Sequence, residues 1–493
     1  MRKIIFILSF ISIGFAANAQ YAEEALRYSR SYFGGTARMQ GMAGAQQALG
    51  ADLSALVGNP AGLGFYRRND FSISPTFRVA STDSKYFGKT SNDDNSQMNI
   101  GNLGFSLTQI NQDYSGKEVQ TGWVSYTFAM GMNRIDNFYE NKYFKGLNNS
   151  SSISNYYAEV SNDRDARYFP DSNVTSTEDM AWYGYMIDFD TTSNKFVSLS
   201  NGNVTQAQAD RLEGYHNEWN FSFGANYSNT LYLGASLGLG SIRYNRTSKF
   251  TETGIVDPIY GLSRIALNEK LNVTGSSLNL KVGAIVRPAD FVRIGLSVQT
   301  PDYYTIDEGF ITDVSSTNSV ATGGVSSYTP LEYLFNYKLR SPFRYQGGIA
   351  LFFKKFGLLS ADVERIDYSN NKLSASAEFS DFGPAQNAVI ENIYQNTYNV
   401  RLGAELKAGP FSFRGGYANY GDPYKSSVVD GNRTFITAGV GYRFEEYYLD
   451  FAFINQQYNS QYSPYTLSNS DLSPIVENNH NINSVVVTFG TKF

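Results

Sequence analysis

Few side chains in this sequence are suited to covalent or metal chemistry. Cysteine is absent, and only two histidines occur, His216 in Gly-Tyr-His-Asn-Glu and His480 in Asn-Asn-His-Asn. Without thiols there are neither disulfides nor thiolate metal sites. Metal ligation and Ser-His-acid catalysis need several such groups clustered. Two isolated imidazoles in polar, loop-like surroundings predict neither, and among the many carboxylates no pair stands out. No enzymatic activity, cofactor or metal is expected, and no nucleotide-binding loop is present. One stretch is suited to recognition instead. Met180-Ala-Trp-Tyr-Gly-Tyr-Met-Ile-Asp-Phe189 is aromatic and Met-rich inside Asn/Ser-rich surroundings. Exposed apolar patches mark recognition surfaces, and Met adapts to varied apolar partners. Met180, Trp182, Tyr183, Tyr185, Met186, Ile187 and Phe189 are therefore a candidate capture surface for a hydrophobic ligand; the plain alternative is that they pack the loop against its neighbours.

Composition limits what can hold such residues in place. The chain opens with Arg2 and Lys3, an apolar run from Ile4 to Phe15, and Ala17-Asn-Ala19 before Gln20. This is the pattern of a secretory signal peptide, residues 1–19, removed on export. The net charge, −5 for the whole chain, becomes −7 without Arg2 and Lys3, so nucleic acid is not expected as a partner. No later segment approaches the roughly 18 apolar residues of a helical membrane span. Aromatic residues make up 15%, nearly all Tyr and Phe. A soluble β-protein and a transmembrane β-barrel both have that composition, so the strand pattern decides.

Period-two alternation marks segments near 69–80, 97–110, 118–135, 217–228, 231–251, 272–287, 291–305, 333–353, 357–371, 397–408, 410–420, 433–445, 446–459 and 481–493. Many reach the about 9–11 residues with which a tilted strand crosses a bilayer, and about fourteen is an even number, as barrels require. Leu278, Leu280, Val282, Ala284 and Val286 share one face, against Asn279, Lys281 and Gly283. The same division sets Val400, Leu402 and Leu406 against Arg401, Gly403 and Glu405, and Ile436, Ala438 and Val440 against Thr437 and Gly439. The polar face would meet solvent in a sandwich and the lumen in a barrel.

Connections discriminate further. Short turns at 228–230, 287–290, 354–357, 407–409 and 445–446 alternate with long polar connections at about 137–216, 252–271, 306–332, 372–396, 421–432 and 460–480. Long loops gathered at one end are what a barrel shows when one rim faces the periplasm and the other the outside. The expected fold class is all-β: a transmembrane antiparallel β-barrel of about 14 strands over residues 68–493, in a Gram-negative-type outer membrane and in contact with its lipid. Aromatics near strand ends, Tyr303-Tyr304, Tyr333, Phe335, Tyr417, Tyr420 and Tyr447-Tyr448, are the expected interfacial girdle. The lumen charges Asp362, Glu364, Arg401, Glu405, Arg414, Arg443 and Asp450 are expected to pair and hold plug and wall together; alternatively, one Arg meets a ligand carboxylate. Gly131, in Ala129-Met-Gly-Met-Asn133 of the third strand, is the expected site of a bulge or kink.

Ahead of the strands, residues 37–63 form the one long mature stretch of small residues and helix signals. Asp52 is the expected N-cap of a short helix over Leu53–Val57, with Gly58 as its left-handed C′ residue. Asn59-Pro60-Ala61-Gly62 has the chemistry of a type I turn. Such a segment packs inside something narrow but builds no core alone. Arg38-Met-Gln-Gly-Met-Ala-Gly-Ala45 and Asn59-Pro-Ala-Gly-Leu63, followed by about fourteen strands, resemble the N-terminal pattern of the FadL/TodX family of outer-membrane transporters for long-chain fatty acids and aromatic hydrocarbons. Ala43 stands where that family often has Gly. The resemblance implies that residues 20–67 are a hatch plugging the lumen, with Asn59, Pro60 and Ala61 as its signature and Gly62 and Leu63 completing the motif. It also implies capture of an apolar ligand between the outer loops, passage to a pocket beside the hatch, and exit sideways beside a kinked third strand.

Two functions follow. The first is passive outer-membrane transport of hydrophobic small molecules such as fatty acids, hydrocarbons or other lipid-like compounds. The second is a barrel of the same architecture acting as an interaction scaffold, as in the FadL-like shuttle of type IX secretion, with protein partners at the outer loops. A continuous apolar cavity at the hatch would favour transport; a polar, filled lumen would favour the scaffold.

Overall fold

In the computed structural model, which describes residues 21–163, 174–200, 202–426 and 430–493, fourteen antiparallel strands close into one barrel. In chain order they are β1 (Asp70–Tyr86), β2 (Lys89–Ile110), β3 (Trp123–Asn137, continued by Glu140–Asn148), β4 (Val204–Tyr227), β5 (Leu231–Thr253), β6 (Arg264–Ala289) and β7 (Val292–Gln299 with Tyr303–Thr317). Then come β8 (Leu331–Arg340 with Arg344–Phe352), β9 (Gly357–Asp367), β10 (Asn396–Ala408), β11 (Phe411–Tyr420), β12 (Arg433–Phe444), β13 (Tyr447–Tyr462) and β14 (Val476–Lys492). β1 closes the ring by pairing with β14 from Asp70↔Lys492 to Lys85↔Glu477. The signal-peptide residues 1–19 lie outside the described residues.

The faces divide as the alternation predicts. Leu278, Leu280, Val282 and Val286 of β6, Val400, Leu402 and Leu406 of β10, and Ile436 and Val440 of β12 are exposed, while Asn279, Lys281, Arg401, Glu405 and Thr437 are buried. Apolar side chains point out and polar ones in. That arrangement is stable in hydrocarbon, where every backbone group is satisfied inside the closed ladder. No described helix is long and apolar enough to cross a membrane.

Three expectations need correction. Strands run beyond their apolar part, because a ladder needs only backbone groups: β3 continues to Asn148 and β4 starts at Val204, so the longest connection is 149–203 rather than 137–216. The strict alternation of short and long connections fails at one hairpin. β1 and β2 meet at the outer rim through Phe87-Gly88, both at positive φ (44° and 78°) as tight hairpin turns require. Finally, only part of the predicted girdle faces lipid. Tyr303, Tyr333, Tyr417 and Tyr447 are exposed, but Tyr304, Tyr420 and Tyr448 are buried in the lumen, since a strand sends adjacent residues to opposite faces.

The N-terminal segment consists of α1 (residues 21–29), α2 (Ala37–Gln40) and two 3-10 turns, Leu53–Leu56 and Pro60–Phe65. Asp52 caps the first turn by accepting from Ser54 N at 2.9 Å. Gly58 is not left-handed: Val57 N and Gly58 N both bond Ser54 O at 3.1 Å, and positive φ falls instead at Ala51 (57°). The connection after β3 carries α3 (Ile153–Asn162), α4 (Thr177–Tyr183) and a small hairpin, Ile187–Asp190 with Lys195–Ser198. α5 (Phe382–Ile393) follows β9.

Candidate functional site

Residues 21–67 lie against the inner face of the barrel, and glycines on the wall admit them. A side chain at Gly234 would overlap the Pro60 backbone, one at Gly283 the Asn59 amide, one at Gly295 the Gln47 carbonyl and one at Gly416 the Met42–Ala43 peptide. The glycine-rich lumen face recognised in the sequence is therefore a seat for this segment, a close approach of backbones that only glycine permits.

Within the seat the motif Asn59-Pro60-Ala61-Gly62-Leu63 is fully buried. Asn59 Oδ1 accepts from Ala61 N at 3.1 Å, capping the second turn, and Gly62 N bonds Asn59 O at 3.0 Å. Asn59 Nδ2 donates to Gln47 O at 2.9 Å and lies 3.3 Å from Ala284 O of β6 and from Leu296 O of β7. One amide thus ties two parts of the segment to each other and to two strands. Leu63 packs with Leu53, Leu56 and Tyr66.

Charged side chains complete the attachment. Arg38 Nε donates to Glu405 Oε2 at 3.0 Å, Arg414 Nε to the same oxygen at 2.8 Å, and Arg414 Nη1 to Asp450 Oδ1 at 2.5 Å. Asp362 Oδ2 accepts from Gln46 N at 2.6 Å and Gln47 N at 3.0 Å. Glu364 pairs with Arg344 at 3.4 Å and Arg401 at 3.5 Å. Six of the seven predicted lumen charges therefore lie in these contacts; Arg443 is exposed near the β12–β13 turn. At the inner end, the Arg293 guanidinium sits between the rings of Phe65 and Phe352 at 4.1 and 4.3 Å, and Phe65 stacks on Tyr232.

A cavity of about 40 Å³ lies between the segment and the wall, lined by polar groups that include His216, Glu218, Lys281, Arg344 and Arg401. That is room for a water or two. A larger groove of about 690 Å³ opens on the outer surface, between α3, the small hairpin and the β5–β6 connection. Ala158, Phe196, Leu199, Val256 and Ile259 line it, with Val256 91% exposed and Ile259 65%.

The predicted capture patch is placed otherwise. Met180, Met186 and Ile187 are buried, and Trp182, Tyr183, Tyr185 and Phe189 are half-buried. Met180, Trp182, Met186, Ile187 and Phe189 pack with Tyr86, Phe144, Phe250, Ile265 and Tyr465 into the core of a lid over the outer end, while Tyr183 and Tyr185 lie against Tyr328 and Tyr260. The patch is thus not an open capture surface. The connection folds into helices and a hairpin with an interior of their own, and the patch is that interior.

The third strand also differs from expectation. Gly131 stands in unbroken register with Gly104 of β2 and Asn220 of β4, so it marks no bulge; its missing side chain accommodates Leu56. The strand departs two residues later. The β2–β3 ladder ends at Asn102↔Asn133, and the register with β4 shifts between Arg134 and Asp136. Beyond that point β2 pairs with β1 alone. The continuation Glu140–Asn148 pairs with β4 and packs against the inner face of β1 through Arg78 to Tyr139 O, Thr82 to Glu140 and Tyr86 to Phe144. The wall therefore carries a seam between β2 and β3, with Met98 and Ile100 exposed on its β2 lip.

Among the described residues no group of three or more His, Cys, Asp or Glu side chains is placed to hold a metal ion. No family model matches the chain, and no curated protein matches it in sequence. Solved structures do match. The toluene transporter TodX of Pseudomonas putida aligns with 94% of this chain and 99% of its own at 14% identity, with a TM-score of 0.56. A Pseudomonas aeruginosa FadL homologue aligns with 93% and 99% at 13% identity and a TM-score of 0.54. The Ralstonia pickettii toluene transporter TbuX gives 94% and 99% at 16% identity and 0.51. At these identities the likeness is one of fold, and along nearly its whole length this chain has the barrel fold of these structures.

Proposed function

We propose that the chain is a member of the FadL/TodX family and carries small hydrophobic molecules passively through the outer membrane. The observation that carries this reading is the seam between β2 and β3. It is a break in an otherwise closed ladder, lipped by Met98 and Ile100 at the height where the outward face is apolar. The fold shared with two toluene transporters supports it. A ligand would be gathered in the outer groove beside Val256 and Ile259, enter past the lid, and leave sideways through the seam into the membrane. Residues 20–67 act as the hatch in this account, pinned by Asn59 and by the Arg38–Glu405 pair, and keep water and ions from following. Binding and passage require no bond to be made or broken. Fatty acids and neutral hydrocarbons are both within the reading.

A second reading has its own support. The cavity between the N-terminal segment and the wall is lined by polar groups and measures about 40 Å³, and a polar lining of that kind is expected of an interaction scaffold whose outer loops bind a protein. Native mass spectrometry of the purified protein, with organic extraction of what it carries, separates the two. A stoichiometric fatty acid, hydrocarbon or other lipid-like molecule, lost on Asn59→Ala, supports transport. An empty barrel that arrives bound to another protein overturns it in favour of the scaffold.

A further inference from the structure

Residues from three strands meet on the inner face just beyond the apolar belt. His480 lies on β14, Ser460 on β13, and Glu140 begins the continuation of β3. His480 Nδ1 is 2.7 Å from Glu140 Oε1, and its Nε2 is 2.8 Å from Ser460 Oγ. Glu140 accepts further from Tyr458 Oη at 2.9 Å and Thr82 Oγ1 at 3.4 Å, and Lys142 Nζ lies 3.7 Å away. A carboxylate held by so many donors is an acceptor, so Nδ1 carries the proton and Nε2 is left with a lone pair for the Ser460 hydroxyl. The imidazole plane is fixed by stacking on Tyr458, 4.2 Å between centroids and 11° between planes. Ser460 is half-buried, and this is its one hydrogen bond from the side chain among the described residues.

We propose that Ser460, His480 and Glu140 are the nucleophile, base and orienting acid of a serine hydrolase site that cleaves a carboxylic ester of an amphiphile. The assignment rests on side-chain geometry and stands apart from the transport reading. Acid, imidazole and hydroxyl are linked in the order and at the distances that nucleophilic acyl transfer requires, and such sites are recognised by geometry rather than sequence order. Ser460 Oγ adds to the acyl carbon while Nε2 takes its proton. The ester C–O bond then breaks, and the imidazolium returns the proton to the departing alcohol. Water, deprotonated by the same nitrogen, attacks the acyl-serine and releases the acid, so the sum is ester plus water giving alcohol plus acid.

The substrate class follows from depth. On β13 and β14 the outward residues beside the cluster are Gln457, Asn459, Asn479 and Asn481, whereas Phe451, Phe453, Val485 and Val487 lie just below. The cluster thus stands at the headgroup level, where an amphiphile with its chain in the belt holds its ester.

The test uses the full chain in detergent micelles, treated with a fluorophosphonate probe and mapped by peptide mass spectrometry, alongside hydrolysis of p-nitrophenyl octanoate. The expected result is a phosphonyl adduct on Ser460 in the wild-type protein and ester hydrolysis that falls at least about 100-fold in Ser460→Ala and His480→Gln, with Glu140→Gln intermediate. Heat-modifiable electrophoretic mobility establishes that each variant is a folded barrel. The labelling of wild-type protein needs no variant: a folded barrel with no adduct on Ser460, or hydrolysis that survives Ser460→Ala unchanged, overturns the proposal.

Discussion

Asn59→Ala tests how the N-terminal segment is held. The substitution removes a 2.9 Å bond to Gln47 O, a 3.1 Å bond from Ala61 N and two 3.3 Å approaches to the carbonyls of Ala284 and Leu296. An ordinary hydrogen bond contributes about 0.5–1.5 kcal/mol net, and a buried group left without a partner costs about 1–3 kcal/mol. With two sound bonds lost and buried partners stranded, the seated state should weaken by about 2–3 kcal/mol, or roughly 30- to 150-fold in the opening equilibrium. Hydrogen exchange followed by mass spectrometry reads this directly: peptides covering residues 45–66 should exchange faster by about that factor, while β10–β13 keep their protection. Asn59→Asp should loosen the segment more, since its second oxygen would face three carbonyls and carry a buried charge. Unchanged exchange in Asn59→Ala, or Asn59→Asp behaving like wild type, refutes the assignment of Asn59 as the pin.

Further outcomes are expected. Gly283→Val places a side chain where the Asn59 amide lies and should destabilise the seated segment by about 1–3 kcal/mol, read as protease cleavage within residues 37–66 of a still-folded barrel. Asn95 Nδ2 and Asn141 Oδ1 are 3.2 Å apart across the seam, and the chain has no cysteine. A disulfide in the double variant Asn95→Cys/Asn141→Cys should therefore slow uptake of a hydrophobic probe until a reductant is added. Val256→Asp with Ile259→Asp should weaken retention of that probe at the outer groove at least tenfold, measured by equilibrium binding, with the barrel intact. The Ser193 hydroxyl and the Thr192 N–H hold the exposed Asp190 carboxyl below the usual carboxylate range. A depressed carboxylate stabilises the hairpin above its unfolded pKa and loses that contribution as the pH falls. Amides 187–198 should thus exchange faster, relative to the barrel, as the pH drops below about 3.9.

The barrel was legible because its signal is redundant. Leu278, Leu280 and Val282 report the lipid face, and Asn279, Lys281 and Gly283 the lumen, and the same alternation recurs strand after strand. What escaped was set by contacts between distant residues. The ends of β3 and β4 are polar, so only the ladder between Glu140–Asn148 and Val204–Leu212 reveals them. Met180 to Phe189 looked like a recognition patch because a sequence does not show that α3, α4 and a hairpin give the loop an interior. At Gly131 the missing side chain makes room for Leu56 rather than for a kink, and the strand departs at Asn133. In the sequence His480 stands as an isolated imidazole, because its partners Glu140 and Ser460 arrive on other strands, one of them 340 positions away. The small-residue segment with Asn59-Pro60 lies where the wall glycines receive its backbone.

The central claim is that hydrophobic molecules pass through this barrel and leave by the β2–β3 seam. Its most direct test is the rate at which a labelled hydrocarbon or fatty acid enters cells whose outer membrane carries the wild-type chain, the Asn95→Cys/Asn141→Cys variant, or neither. The account predicts faster entry with the wild type than with neither, and loss of that gain in the oxidised variant with recovery on reduction. Entry that is no faster with the protein than without it, or that is indifferent to the cross-link, would contradict it.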